Sequence, residues 1–189
     1  VVSLTILLGA GLGRLLKMDR DTALLTSIGS SICGAAAVLG AEPVVKSKPY
    51  KAAVAVSTVV IFGTLSMFLY PALYRAGMLN LTTEQMGLFT GATLHEVAHV
   101  VGAGNAMGQA ISDPAIIVKM IRVMMLAPVL VILSIILARR DSAAGGNSEK
   151  RKITIPWFAF LFLAVIGFNS LHLLPAELVD AINTLDTFL

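Results

Sequence analysis

His95, Glu96 and His99 spell HEVAH, the densest set of reactive side chains in the sequence. On an unbroken helix, residues at i and i+4 share one face, and Glu96 would stand about 100° around the axis from His95. Two imidazoles so placed can bind zinc while the Glu activates water, the chemistry of a metalloprotease. A catalytic zinc needs a third protein ligand and an open position as well. The one other histidine is His172, and Asp113 is the further candidate acid, in SDPA. The same residues support a second chemistry. An ionisable group near a bilayer centre is costly unless it faces a wet cavity or a partner, so Glu96 and His95 are candidate coupling residues that take up and release a proton. The plainest alternative is neutral groups hydrogen-bonding neighbouring helices.

The segment around the triad has a counterpart. GATLHEVAHVVGA at 91–103 follows GSSICGAAAVLGA at 29–41 by 62 residues, with Gly29/Gly91, Ala36/Ala98, Val38/Val100, Gly40/Gly102 and Ala41/Ala103 identical. Cys33, Gly34 and Ala37 take the places of His95, Glu96 and His99. Paired, Gly-interrupted apolar segments are the sign of discontinuous helices facing each other across a transport site. In the first segment Gly29, Ser30, Ser31 and Gly34 offer hydroxyls and unhindered N–H groups where a helix could break and restart, and a helix N-terminus there would attract an anion. Asn105, after GAG, and Glu42, before Pro43, are further candidates at the segment ends.

What positions these residues is a membrane. The chain has 57% hydrophobic and 13% charged residues, with a mean hydropathy of +0.86. A water-soluble domain carries about 25% charge. Stretches without Asp, Glu, Lys or Arg run over 22–41, 52–74, 123–138 and 153–176, and 85–112 holds only Glu96. About 20 such residues cross a hydrocarbon core. The expected fold is an all-α integral membrane protein: a polytopic helical bundle with two discontinuous or re-entrant segments and an inverted-repeat transporter fold. Residues 1–189 form a single transmembrane domain, read as an internal fragment truncated at both ends because 1–13 and 181–189 look like parts of further spans. One cysteine makes no intramolecular disulfide, and the net charge of +3 belongs to loops, so nothing points to nucleic acid.

The charged linkers are Arg14 to Asp21, Lys46 to Lys51, Arg75 to Glu84, Asp113 to Arg122 and Arg139 to Lys152. The last gives a basic cytoplasmic loop over 139–153. If both broken segments cross fully, alternate sides carry nine and five basic residues; if both re-enter, eleven and three; if only one does, eight and six. Cytoplasmic loops hold the excess. Both-re-entrant is therefore preferred, and it places the two units in opposite orientations. Lys119 and Arg122 could draw an anion inward, but are expected to snorkel to the interface. Met120, Met124 and Met125 pack, Trp157 sits in an aromatic belt, and Asn169, Ser170 and His172 bond at an interface.

GSSICGAAAVLGAEPVVK, VAVSTVVIFGTLSMFLYPALY, HEVAHVVGAGNA, KMIRVMMLAP and ITIPWFAF together resemble the YeiH family of bacterial inner-membrane proteins, to which sulfate export is ascribed. The resemblance covers nearly the whole chain. It implies a protein of roughly ten spans, multi-pass in the inner membrane, related in fold to transporters with inverted repeats and crossed discontinuous helices. It also implies that a second His at position 99 is dispensable, which leaves Glu96 with His95. The functional expectation is a secondary transporter moving a small anion, sulfate or an organic sulfonate, with proton or cation coupling. It is not an enzyme and has no metal or cofactor; its partners are the lipid bilayer and the anion. Gly29, Ser30, Ser31, Gly34 and Asn105 would bind substrate, and His95 and Glu96 would couple. The rivals are an intramembrane zinc metalloprotease and a non-catalytic structural subunit.

Overall fold

The computed structural model describes residues 1–143 and a few positions between 161 and 171. Trp157, Asn169, Ser170 and His172 lie outside the described residues, as does the basic loop expected over 139–153 beyond its first positions, which continue the last helix. The described residues 1–143 belong to one compact unit. Among the described residues the chain is helical throughout, as expected: α1 (Val2–Leu15), α2 (Arg20–Ser31), α3 (Ala35–Val45), α4 (Pro49–Arg75), α5 (Thr83–Thr93), α6 (Val97–Met107), α7 (Gln109–Met124) and α8 (Leu126–Ala143).

Among the described residues, two helices are long and apolar enough to cross a membrane: α4, with 27 residues, and the run Gln109–Arg139 through α7 and α8, with 31. At 1.5 Å per residue α4 is about 40 Å long. The arms α2, α3, α5 and α6 have only 11 or 12 residues, about 17 Å each, half the thickness of a hydrocarbon core.

The short arms fold back on themselves. Gly29 and Val38 would stand about 13 Å apart along a straight helix, yet a Cβ on Gly29 would lie 2.6 Å from Val38 Cγ2. Asp19 opens α2 by accepting from Thr22 N, the N-cap that a helix starting in water needs. Lys46, in the left-handed region with φ 56°, closes α3, and Pro49 restarts the chain at the first turn of α4. Two residues later, Lys51 Nζ bonds Asp19 at 2.8 Å and Asp21 at 2.7 Å. The start of α2, the end of α3 and the start of α4 thus share one end of the unit.

The second hairpin enters from the other end. Thr82 and Gln85 form a capping box at the start of α5, and Gly108, at φ 116°, turns α6 into α7. A Cβ on Gly87 of α5 would lie 2.6 Å from Pro114 Cγ, and one on Gly104 of α6 would lie 2.8 Å from Ser112 Cα, so both arms begin or end beside the start of α7. Arg75 at the end of α4 donates to Ala106 O at 2.6 Å. Each repeat is therefore a hairpin followed by a long helix, and the two point in opposite directions. The boundaries agree with the repeat: α2 ends at Ser31 and α5 at Thr93, α3 starts at Ala35 and α6 at Val97, all in the 62-residue register.

One linker expectation is corrected. Asp113 to Arg122 is the body of α7, not a loop. From Ala115 to Ala138 the chain holds no other charge than Lys119 and Arg122, and those two are satisfied internally.

Candidate functional site

The hairpin tips meet. Residues 32–34 separate α2 from α3, and 94–96 separate α5 from α6. Each break leaves the last carbonyls of one half-helix and the first N–H groups of the next without intrahelical partners, and the paired C-terminal ends carry partial negative charge. Lys119 and Arg122, one turn apart on α7, reach both. Lys119 is fully buried and Arg122 is 6% exposed. The Lys119 ammonium donates to Ile32 O at 2.8 Å, to Leu94 O at 2.7 Å and to His95 O. Arg122 donates from Nη2 to Ser31 O at 2.6 Å and Ser30 O at 3.1 Å, and from Nε to Ser31 O. Its Nη1 donates to Gly91 O at 3.0 Å and Leu94 O at 3.2 Å. Two buried cations are tolerable here because they meet two helix C-termini, each a fixed acceptor array. The expected snorkelling is thus overturned for both: their donors are used up at the breaks. The signal was in the sequence, since KMIR sets both cations on one helical face of an apolar run.

The opposite poles face Glu96. It occupies the N-cap position of α6 with extended backbone, φ −111° and ψ 156°, and its Oε1 accepts from Ala35 N at 3.3 Å, the first N–H of α3. A carboxylate from one hairpin therefore rests on the helix N-terminus of the other. Gly34, with φ 70° and ψ −131°, makes the room: a Cβ there would collide with Glu96 Cγ. Glu96 Oε2 stands 3.8 Å from His99 Nε2, which also lies 3.3 Å from Thr64 Oγ1. His95 Nδ1 meets Val59 O at 3.1 Å. Both imidazoles lie against Gly63 of α4, where a Cβ would come within 2.5 Å of His99 Nδ1 and 3.4 Å of His95 Nδ1.

This geometry corrects the reading of HEVAH as two histidines on one helical face. The helix breaks inside the motif, leaving His95 outside α6 and His99 in its first turn, so the i, i+4 register that a zinc site needs is absent. No group of three or more His, Cys, Asp or Glu among the described residues is placed to hold a metal ion.

Of the other expected residues, Gly34 lies at the tip and Gly29 packs where the arms fold back. Ser30 and Ser31 close α2, so they sit at a C-terminal pole and present carbonyls to Arg122, and the Ser31 hydroxyl turns back to Ile28 O. The restart that offers N–H groups comes later, at Gly34 and Ala35. Asn105 is not brought to the tips; near the end of α6, it accepts from Ser112 Oγ at 2.8 Å. Glu42 lies inside α3, near its end.

The family described as Conserved hypothetical protein 698 matches residues 1–189. A UPF0324 membrane protein of Bacteroides thetaiotaomicron is 67% identical over 190 residues, covering 100% of this chain and 56% of the relative. A UPF0324 membrane protein of Bordetella bronchiseptica is 53% identical, with 100% and 59% covered. The UPF0324 inner membrane protein YeiH of Escherichia coli K12 is 53% identical, with 100% and 54% covered. The chain thus spans little more than half the length of these relatives. No solved structure matches it.

Proposed function

Because the chain belongs to the UPF0324 family of membrane proteins, that of conserved hypothetical protein 698, we propose that it forms the hairpin-bearing core of a secondary transporter moving a small anion across the bacterial inner membrane. One observation carries the reading: the Glu96 carboxylate rests on the N-terminus of α3, contributed by the opposite hairpin. The N-terminus of a half-helix attracts negative charge through its free N–H groups and its dipole. The carbonyl poles are neutralised by Lys119 and Arg122, so the uncompensated field at the tips is positive. Ala36 and Ala98, repeat-related and each in the first turn of its half-helix, are exposed, leaving both N-termini open on one side.

Glu96 then acts as a tethered anion that competes with substrate for the α3 N-terminus. Protonation weakens its hold on Ala35 N and admits the anion, so proton and anion travel together. His95 and His99 line the path by which the proton reaches Glu96. Gly34 makes the close approach possible, while Ser30 and Ser31 act through their carbonyls by holding Arg122. The protein is a carrier rather than an enzyme. In this reading the protein is multi-pass, and the end that carries Arg14, Arg20 and Lys51, opposite Arg75, faces the cytoplasm.

The test is sulfate exchange by the intact protein in proteoliposomes, beside Glu96→Gln at matched folding. Saturable exchange that requires a proton gradient in the parent and loses that requirement in the variant is expected. Exchange indifferent to Glu96 would remove its coupling role, and exchange of no sulfate or organic sulfonate would overturn the anion reading.

A further inference from the structure

The Lys119 ammonium sits at a point where three backbone carbonyls converge from both hairpins: Ile32 O from the first break, Leu94 O and His95 O from the second. The side chain is fully buried. A primary ammonium has three N–H donors and no acceptor, and here all three are directed to carbonyl oxygens. Carbonyl rings of this kind are what proteins use to replace the hydration shell of a monovalent metal cation, and unwound half-helix ends coordinate such ions in broken-helix transporters. Arg122, one turn further along α7, fills a different role, bridging four carbonyls with a planar fork. Lys119 alone behaves as a point charge on a stem.

We propose that the recess between the two hairpin tips is a monovalent-cation site whose resident ion is the protein's own Lys119 ammonium. The ligand class is a single-charged cation of ammonium or potassium size, held by Ile32 O, Leu94 O and His95 O. Removal of the stem beyond Cβ leaves a channel along α7 shaped for the missing fragment, three methylenes and an ammonium, which is n-propylammonium. The consequence for transport rests on the carrier reading: a tethered cation at the crossing supplies the positive charge that sodium would otherwise bring, so anion movement by the parent protein needs no sodium. The site itself does not depend on that reading.

The experiment is thermal unfolding of the intact protein in detergent, comparing the parent with Lys119→Ala. Salts are added at equal ionic strength: n-propylammonium, methylammonium, potassium, sodium and tetramethylammonium chlorides. The parent is expected to respond equally to all five. Lys119→Ala is expected to unfold several degrees lower and to regain most of the difference with n-propylammonium, less with methylammonium or potassium, and none with tetramethylammonium, which has no N–H and is too large. A ligand that binds only the folded form raises its stability in this way. An equal response of the variant to all five salts would overturn the proposal. Lys119→Arg keeps the test decisive if the alanine variant does not fold. A guanidinium retains charge but cannot aim three N–H groups at one convergent set of carbonyls from that stem, so it is expected to unfold below the parent. Unfolding at the parent's temperature would show that charge suffices without a point-cation site. Failure of sulfate exchange with rescue by n-propylammonium intact would strike the carrier reading and leave the site standing.

Discussion

The two hairpins share a backbone and divide the chemistry. α2–α3 and α5–α6 break at repeat-related positions, enter from opposite ends and meet at their tips. The first presents Cys33 and Gly34 where the second presents His95 and Glu96. The long helices divide the same way, since Lys119 and Arg122 of α7 stand where α4 has Ser57 and Val60. One repeat contributes shape, close approach and the buried Cys33 thiol; the other contributes the carboxylate, both imidazoles and both cations at the crossing. A duplicated scaffold with identical charges in both halves would place two carboxylates and two pairs of cations at one point, where like charges repel strongly in a low dielectric. Asymmetry lets a single Glu96 face a single α3 N-terminus.

The largest expected effect comes from removing the guanidinium that spans both halves. Arg122→Ala would strand the carbonyls of Ser30, Ser31 and Gly91 in a buried setting, and a loss of about 3–5 kcal/mol is expected from thermal or denaturant unfolding in detergent. The repeat-related Val60→Ala, on a partly buried face of α4, should cost about 1 kcal/mol or less. Equal losses at the two positions would erase the asymmetry.

Next comes the glycine that lets the hairpins touch. Gly34→Ala meets both an unfavourable φ of 70° and the Glu96 side chain, so a loss of about 1–3 kcal/mol is expected in the same assay, with weaker proton dependence of exchange. Gly63→Ala should cost about 1–3 kcal/mol, because His99 is buried and must move. Gly102→Ala should cost less, since its added methyl meets the Sδ of Met67 on a flexible stem.

The smallest effect belongs to the ion pairs that pin the first hairpin to α4. Bonds from Lys51 and from Thr22 N hold the Asp19 carboxyl down at about 2. A depressed carboxylate stabilises the fold above its unfolded value of about 4 and loses that contribution as pH falls toward 2. Unfolding temperatures of the parent and Asp19→Asn should therefore converge over that interval and differ above it. A difference unchanged down to pH 2 would count against the pairing.

Much of this was legible before the fold was known. The 62-residue match between GSSICGAAAVLGA and GATLHEVAHVVGA located both breaks, and the basic-residue count preferred two re-entrant segments over two crossings. Each arm is about half as long as a span and folds back on its partner, the geometry that a re-entrant segment requires. HEVAH singled out Glu96 but hid its setting, since a helix-face reading assumes the helix continues through the motif. Lys119 and Arg122 were misread for a related reason. The spacing in KMIR marked two cations on one face of an apolar run, but their acceptors are backbone carbonyls at the breaks, which the sequence does not locate. Ser30 and Ser31 were placed on the wrong pole because composition shows that a helix breaks without showing on which residue it restarts.

Everything at the crossing depends on two hairpins entering from opposite faces and meeting within the membrane, and cysteine accessibility in intact cells tests that most directly. Met18→Cys and Lys48→Cys, both at exposed positions, flank the first hairpin; Asn80→Cys and Gln109→Cys flank the second. The first pair is expected to react only with a reagent that enters the cytoplasm, and the second pair to react with an impermeant reagent from outside. Met18→Cys and Lys48→Cys labelling from opposite sides would mean that α2 and α3 cross the membrane in sequence, and the inverted arrangement would fall.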